Sequence, residues 1–300
     1  MRISTAQWYR QGVNAMLGNQ SALSRTQMQL SSGKRILAPA DDPTGATRVM
    51  ELDAFMNRVA QYQRNIDAAE TRLRREEEVL TGMVNGLQRV RELAVQGLND
   101  TNTGADRRAI ALEVRQHLEA LLALANETDA NGEYLFSGYR TGTAPFVDDG
   151  AGGYEYRGDQ GQRLLQISDA RHLAVNDPGD RLFMGIDDGA GGTTDLFSIV
   201  RGLAEDLETN DPDDETLALL DRGLERLDLA RAGIGGRMNA LDEQRGIHET
   251  FSLMMAQERS RIEDLDFAGA VSRLQQQTLA LQAAQQTFMK IEGLSLFNYL

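Results

Sequence analysis

Apolar residues recur at alternating intervals of three and four along much of the chain, as in a helix that packs along one seam. Between Val49 and Leu98, one seam position is apolar throughout, at Leu52, Val59, Ile66, Leu73, Leu80, Leu87 and Ala94. The other position is apolar only at its ends and carries Gln63, Glu70, Glu77 and Arg91. This pattern predicts a coiled-coil or bundle helix, roughly 75 Å long for some 50 residues. The polar positions predict a partly solvated face on this helix, which a further partner could contact.

Similar patterns predict the remaining helices. One seam runs from Leu217 to Leu241 and another from Phe267 to Phe288, while Arg107–Leu124 is a shorter amphipathic segment. The first segment, Thr5–Leu30, is only weakly amphipathic. Helices that bury so little apolar surface are marginal in water. We therefore expect both ends of the chain to be largely disordered in a free monomer and ordered in an assembly.

The middle of the chain, from Tyr139 to about Asp195, is dense in glycine and aspartate and has no helical periodicity. Phe146–Val147 and Tyr154–Tyr156 flank the sequence DDGAGG, which predicts a β-hairpin. Arg163–Ser168 and His172–Val175 are predicted to be further short strands.

These elements predict a mainly α fold: a long antiparallel coiled-coil or helical-bundle rod formed by the amino- and carboxyl-terminal segments, with a small β-rich inserted domain. Three domains are expected. Residues 1–42 with 259–300 would form a terminal paired-helix domain, residues 43–138 with 197–258 a helical rod domain, and residues 139–196 the β-rich insert.

Charge and composition narrow the class of partner. The net charge of −14 argues against nucleic acid or an anionic membrane as the main partner, yet the first 40 residues contain no acid and five basic residues. Such a basic arm on an acidic body is typical of an interaction role. The chain has no cysteine, which excludes disulfides and thiolate chemistry. Its start lacks the apolar core of a secretory signal peptide, and we expect no membrane insertion.

The segment LSSGKRILAPADDPTGA, residues 30–46, raises two hypotheses. One is a phosphate-binding loop with metal-binding carboxylates. However, Arg35 stands where a P-loop has Ser or Thr, and Met28 stands where it has its first glycine. Asp41 and Asp42 have no third ligand nearby at metal-site spacing.

The other hypothesis is a mechanical joint between two helices. Gly33 suits the left-handed position that ends a helix, with Lys34 and Arg35 near the negative end of its dipole. Pro39 predicts an extended stretch, and Asp42 with Pro43 predicts the start of the next helix. The role of Lys34, Arg35 and Asp41 stays open between solvated charges and pairs between neighbouring subunits. The predicted joint residues are Leu30, Gly33, Lys34, Arg35, Pro39, Asp41, Asp42, Pro43 and Gly45.

No other motif predicts chemistry. The three histidines lie in different segments and none belongs to an HExxH motif. Arg157–Asp159 spells RGD, but a glycine-rich turn produces this tripeptide by chance. The GAGG stretches at 150–153 and 189–192 lack the aspartate spacing of calcium repeats, so hairpin loops explain them better. We predict no catalytic, cofactor or metal site, and a structural protein rather than an enzyme.

Two stretches at opposite ends of the chain resemble one family. The joint sequence resembles the Leu-Ser-Ser-Gly…Asp-Asp-Pro signature of flagellin-type axial proteins, and IEDLDFAGAVSRLQQQTLALQAA at 262–284 resembles their terminal helix. The resemblance covers most of the chain apart from the insert. It implies a terminal assembly helix that includes Ile262, Asp264, Leu265, Phe267, Leu274, Leu281, Phe288, Phe297, Tyr299 and Leu300.

Within that family, ANGEYLFSGYRTGTAPF at 130–146 and the end SLFNYL resemble members at the junction between hook and filament. This implies a structural component of the extracellular flagellum, exported by the flagellar type III system without signal cleavage. The implied partners are its own copies in a ring of about ten or eleven subunits, a second junction protein, flagellin and an export chaperone at the carboxyl-terminal helix. A compact filament flagellin and, more distantly, a nucleotide-binding protein on a coiled-coil scaffold stay open.

Overall fold

The computed structural model describes residues 5–150, 152–211 and 213–297. Its helices are α1 (Thr5–Ser32), α2 (Pro43–Gly97), α3 (Gly104–Ala125), α4 (Gly179–Phe183), α5 (Leu196–Thr209), α6 (Glu215–Glu263) and α7 (Phe267–Phe297). Its strands are β1 (Phe146–Asp148), β2 (Tyr154–Tyr156), β3 (Leu164–Gln166), β4 (His172–Ala174), β5 (Ile186–Asp187) and β6 (Thr193–Thr194). The predicted mainly α fold with a small β-rich part is confirmed.

The chain divides into two compact units, whereas the three-domain division stays a prediction. One unit contains the chain up to Arg58 and from Glu249 onward, and the other runs from Val59 to His248. The second unit contains the three hairpins together with α3, α4, α5 and most of α2 and α6.

The apolar seam of α2 is buried as predicted, since all seven of its residues are at most 3% exposed. Three of the four polar positions of the second seam, Glu70, Glu77 and Arg91, form ion pairs with α6 of the same chain, and a further partner on this face stays a prediction. Arg231 donates from Nη2 to Glu77 Oε1 at 3.0 Å, and Arg91 donates from Nε to Asp221 Oδ1 at 2.6 Å. The residue numbers on α6 fall as those on α2 rise, so the helices are antiparallel in the Val59–His248 unit.

The predicted β-hairpins form two-stranded antiparallel sheets. Phe146 pairs with Tyr156 in the β1–β2 sheet, and Leu165 pairs with Leu173 in the β3–β4 sheet. The loop of the third hairpin, β5–β6, was predicted from its GAGG sequence, but its two strands were not. This loop repeats the sequence DDGAGG of the first hairpin. The second aspartate of each loop, Asp149 or Asp188, accepts the N–H of the last glycine, at 2.9 and 2.8 Å. Both GAGG stretches are therefore hairpin loops.

Helix α5 was also missed by the sequence patterns. Asp195 accepts the N–H of Ser198 at 2.8 Å and caps the helix, which is then buried along one face. That face carries Leu196, Phe197, Ile199, Val200, Leu203, Ala204 and Leu207. The apolar spacing is helical, and the predicted boundary at residue 196 places nearly all of α5 in the helical rod domain, but no helix was predicted there.

The core of the Val59–His248 unit continues from the helices into the hairpins through aromatic side chains. The ring of Phe146 lies 5.1 Å from that of Phe197 and 5.4 Å from that of Phe183. Phe136 meets Phe183 edge to face at 5.2 Å. Such contacts add to the free energy gained from burial, so the β-rich part is held by packing against α5.

Replacing Gly97 by alanine is expected to lower the free energy of unfolding by about 1–3 kcal/mol. A Cβ there would lie 2.3 Å from Leu207 Cδ2, and Leu207 is fully buried. Gly202→Ala is the matched control, because nothing lies within 4 Å of a Cβ at that helical position. The control should stabilise by up to about 1 kcal/mol. Urea unfolding of both variants tests this, and equal effects would contradict it.

The unit that contains both chain ends pairs α1 with α7, as predicted. The rings of Tyr9 and Phe288 lie 5.1 Å apart, and a Cβ at Gly12 would be 3.2 Å from the Phe288 ring. Among the side chains described in these two helices, only Thr26 and Ala270 are buried. The two helices therefore cover each other only in part. Their disorder in a free monomer stays a prediction.

Candidate functional site

Gly33 ends α1 as the sequence predicts. Its φ is 72°, in the left-handed region that favours glycine, and its N–H donates to the carbonyl of Gln29 at 2.9 Å. The residues from 33 to 42, here called the amino-terminal link, connect α1 to α2. Residues 264–266, the carboxyl-terminal link, connect α6 to α7.

The two links lie side by side and are hydrogen-bonded through their backbones. Arg35 donates its N–H to the carbonyl of Glu263 at 2.7 Å, and Leu265 donates to Gly33 at 3.0 Å. Lys34 and Asp264 form an antiparallel bridge between these bonds. The joint is therefore made of both links, whereas the sequence predicted only the amino-terminal one.

The side chains of the joint pair within the chain, an arrangement that neither interpretation from the sequence anticipated. Lys34 Nζ donates to Glu263 Oε1 at 2.5 Å. Arg35 Nη2 donates to the carbonyl of Ile262 at 2.8 Å and to Asp42 Oδ2 at 2.9 Å. Exposed ion pairs stabilise little, so these contacts mainly fix the direction of the links.

The stretch before Asp41 is a turn rather than the extended run predicted from Pro39. The N–H of Asp41 donates to the carbonyl of Ala38 at 2.9 Å, with proline at the second position, which suits a β-turn. The Asp41 carboxylate accepts the N–H groups of Leu37 and Ala38, at 3.0 and 3.1 Å, and pairs with Arg25. These backbone bonds, and then the guanidinium of Arg25, lower the pKa of Asp41.

Asp42 and Pro43 start α2 as predicted. Asp42 Oδ1 accepts the N–H of Gly45 at 2.9 Å, and that bond, followed by the contact with Arg35, lowers the pKa of Asp42. Position 45 favours glycine because neighbouring side chains come close to its Cα. A Cβ there would lie 2.5 Å from Asp42 Oδ2 and 2.8 Å from Ile36 Cδ1. Both carboxylates of the Asp-Asp pair therefore accept backbone hydrogen bonds in the joint, Asp41 in the turn and Asp42 at the start of α2.

The joint is expected to loosen as the pH falls below about 3.8, the ordinary pKa of aspartate. Because folding lowers the pKa of Asp41 and Asp42, their stabilising effect is complete above that value and is lost as the pH falls through the lowered values. NMR shifts of the Gly45 and Ala38 amides report the two carboxylates. Asp42→Asn keeps a capping oxygen without a titrating charge, so its Gly45 amide should show no acid transition. A wild-type transition above pH 4 would contradict the prediction.

The residues predicted for the terminal assembly helix fall into three groups. Ile262 lies at the end of α6, and Asp264 and Leu265 lie in the carboxyl-terminal link, so the helix starts later than predicted. Asp266 accepts the N–H of Gly269 at 3.2 Å, which sets the start of α7 at Phe267. Leu274, Leu281 and Phe288 are half-buried along α7. Tyr299 and Leu300, and the side chain of Phe297, lie outside the described residues.

Large apolar side chains remain exposed on α1 and α7, and sequence reasoning missed most of them. We call them the terminal-helix surface: Trp8, Tyr9, Leu17, Met28, Phe267, Val271, Leu279 and Met289. Each is at least 44% exposed. The missed side chains are apolar residues that lie outside the one seam by which each helix was predicted. Large apolar side chains exposed along two paired helices are typical of a protein–protein contact.

The other candidate motifs are occupied by structural contacts. His248 is buried, and its Nε2 lies 2.7 Å from the carbonyl oxygen of Ile167. In the RGD sequence, Asp159 accepts the N–H groups of Tyr139 and Gly161, both at 2.8 Å. Within the described ranges, no group of three or more His, Asp or Glu side chains is arranged to hold a metal ion. The helices described here include none that is long and apolar enough to cross a membrane.

Comparison with known proteins gives three results. Residues 3–141 match the family model of the bacterial flagellin N-terminal helical region. The chain is 30% identical to flagellar hook-associated protein 3 of Escherichia coli over 317 aligned positions, which cover 99% of each protein. It is 35% identical to a phase 1 flagellin of Salmonella naestved over 124 positions, which cover 41% of this chain and 25% of the flagellin.

A solved structure shows the same fold. The flagellar hook-associated protein 3 of Legionella pneumophila superposes with a TM-score of 0.68 at 21% identity. The superposition covers 71% of this chain and 98% of the Legionella chain.

Proposed function

The chain belongs to the flagellar hook-associated protein 3 family, a flagellin-type family of the bacterial flagellum, and we propose that it joins the hook to the flagellin filament. The similarity to the Escherichia coli protein extends over both whole chains, whereas that to flagellin covers 41% of this chain. This difference favours a junction protein over a compact filament subunit.

The terminal-helix surface is the observation that carries the proposal. A monomer that exposes Trp8, Leu17 and Leu279 by 55–65% leaves apolar area in water that contact with neighbours would remove. We infer that α1 and α7 line the inner wall of a tube built from copies of this chain. Residues 1–42 with 259–300 would form this inner layer, residues 43–138 with 197–258 an outer helical layer, and residues 139–196 the outward-facing part.

The two links would connect the layers. Backbone hydrogen bonds from Arg35 to Glu263 and from Leu265 to Gly33 hold the two links together. We therefore expect α1 and α7 to change direction together. Such a joint lets subunits adopt slightly different conformations where a curved hook meets a stiffer filament. The joint residues named above would set the range of this movement.

The proposed partners are further copies of the chain in a ring of about ten or eleven subunits, a second junction protein on the hook side and flagellin on the filament side. We propose export by the flagellar type III system without cleavage of a signal peptide. A chaperone would cover the carboxyl-terminal helix until then, because exposed apolar side chains on α7 invite aggregation.

Deletion of residues 290–300 is expected to abolish filament attachment while export continues. Electron microscopy of cells that carry only this variant should show hooks without filaments, and filament protein should appear in the medium. The control is the same null strain with the full-length gene, which should swim. Filaments still attached to hooks in cells with the truncated chain would contradict the proposal.

A further inference from the structure

Three glycines lie close together in the middle of α6. Gly233, Gly235 and Gly236 belong to residues 233–236 of this 49-residue helix, here called the glycine segment. Glycine weakens a helix interior, because its backbone loses more conformational freedom than that of any other residue when it is fixed. In the part of the chain that the structure describes, nothing lies within 4 Å of a Cβ built at any of the three. Close packing therefore does not explain these glycines.

Other glycines of the same unit are explained by close packing. A Cβ at Gly86 of α2 would lie 3.1 Å from Leu121 Cδ2 of α3. A Cβ at Gly223, earlier on α6, would lie 2.6 Å from Leu196 Cδ1 of α5. A larger residue at either position would force the neighbouring helix to shift. The glycine segment weakens α6 without any such gain in packing.

Few side chains hold the glycine segment in place. Ile234 is fully buried, whereas Gly233 and Gly236 are exposed. A cavity of about 360 Å³, open to solvent, borders α6 at Ala230 and Gly233. The helix therefore has one buried side chain in the segment and free space beside it.

The two halves of α6 are attached to different hairpins. Before the glycine segment, Arg226 Nη2 donates to the carbonyl of Gly185 at 3.0 Å, next to β5. After the segment, Arg237 Nη1 donates to the carbonyl of Ala174 in β4 at 3.2 Å. A change of angle between the two halves would therefore move the β5–β6 hairpin relative to the β3–β4 hairpin.

We propose that the glycine segment is a hinge, at which α6 opens locally and its two halves change their angle. Sharp bends in helices occur where the ladder of backbone hydrogen bonds is weak. An opening there releases the N–H groups of the segment and of the next turn, because each donates to the carbonyl four positions earlier. The buried side chain of Ile234 is the pivot. The hinge adjusts the two hairpins while the core of the unit stays folded.

Hydrogen exchange on the full chain tests the local opening. After correction for intrinsic rates, the amides of residues 234–240 should be at least about tenfold less protected than those of residues 220–228. Replacing all three glycines by alanine should raise this protection at least about tenfold, because each change favours the helical state about fivefold. Equal protection along wild-type α6 would overturn the hinge, and so would a triple alanine variant that gains no protection.

Distances between spin labels test the change of angle. The chain has no cysteine, so the exposed Glu225 and Glu243 can be replaced by cysteine in the full chain and labelled. The two positions lie on one face of α6, about five turns and roughly 27 Å apart in a straight helix. Pulsed electron paramagnetic resonance should give a distance distribution that narrows clearly when the three glycines become alanine. Equal widths in the two backgrounds would overturn the hinge.

Gly246→Ala is the matched control. Gly246 also lies in α6 with nothing described within 4 Å of a Cβ, but it stands outside the labelled interval. This variant should leave both the label distances and the protection of residues 234–240 as in the wild type. A narrowing as large as that of the triple variant would show that stiffening any part of α6 has this effect, and would refute a hinge at residues 233–236.

Discussion

Phe197→Ala is expected to lower the free energy of unfolding of the Val59–His248 unit by about 3–5 kcal/mol. Phe197 is fully buried, and its ring lies 5.1 Å from Phe146, 5.5 Å from Tyr154 and 5.9 Å from Phe183. Alanine would leave a cavity among rings that come from α4 and the first hairpin. The surrounding helices prevent full collapse, so both burial and packing energy are lost.

The measurement is equilibrium unfolding in urea, read by circular dichroism. Phe197→Leu, which keeps most of the volume, should lose clearly less. Leu229→Ala is the matched surface control, since Leu229 is 68% exposed, and its effect should stay within about 0.5 kcal/mol. A loss below about 1 kcal/mol for Phe197→Ala would show that the ring cluster does not hold the β-rich part on α5.

The double variant Leu17→Glu, Leu279→Glu is expected to abolish assembly while the monomer keeps its stability. Both leucines belong to the terminal-helix surface and are 57% and 65% exposed. In a free chain, glutamate at such positions changes stability by about 0.5 kcal/mol or less. In an assembly, each buried carboxylate without a partner would be strongly unfavourable, and the effect repeats in every subunit.

The test compares motility and filament attachment in a null strain with urea unfolding of the purified chain. Gln20→Glu, Gln282→Glu is the matched control, because it adds the same two charges to exposed polar positions of the same helices. The control strain should swim and the variant strain should not. Filaments on cells with the leucine variant would refute the role of this surface.

The joint was predicted from the sequence where local rules decide the structure. Gly33, Asp42 and Pro43 act through bonds to residues at most four positions away, so their pattern is visible in a short window. The ion pairs were out of reach, because Lys34 meets Glu263 across 229 positions. No local rule brings two such distant residues together.

Two elements were missed although their sequence signals are local. Asp195 and the apolar spacing after it do indicate a helix, but no helix was predicted between the insert and the seam that begins at Leu217. The β5–β6 hairpin has two-residue strands, too short for an alternating pattern to be recognised. Its loop was predicted from the GAGG sequence, and comparison of the repeated DDGAGG with the first hairpin would have identified the strands as well.

Trp8 gives the chain an intrinsic optical probe. It is the single tryptophan of the sequence and is 55% exposed on α1. An indole in contact with water emits at longer wavelength than one that is covered. A blue shift of the fluorescence would therefore report, without any label, the moment when another surface covers the amino-terminal helix.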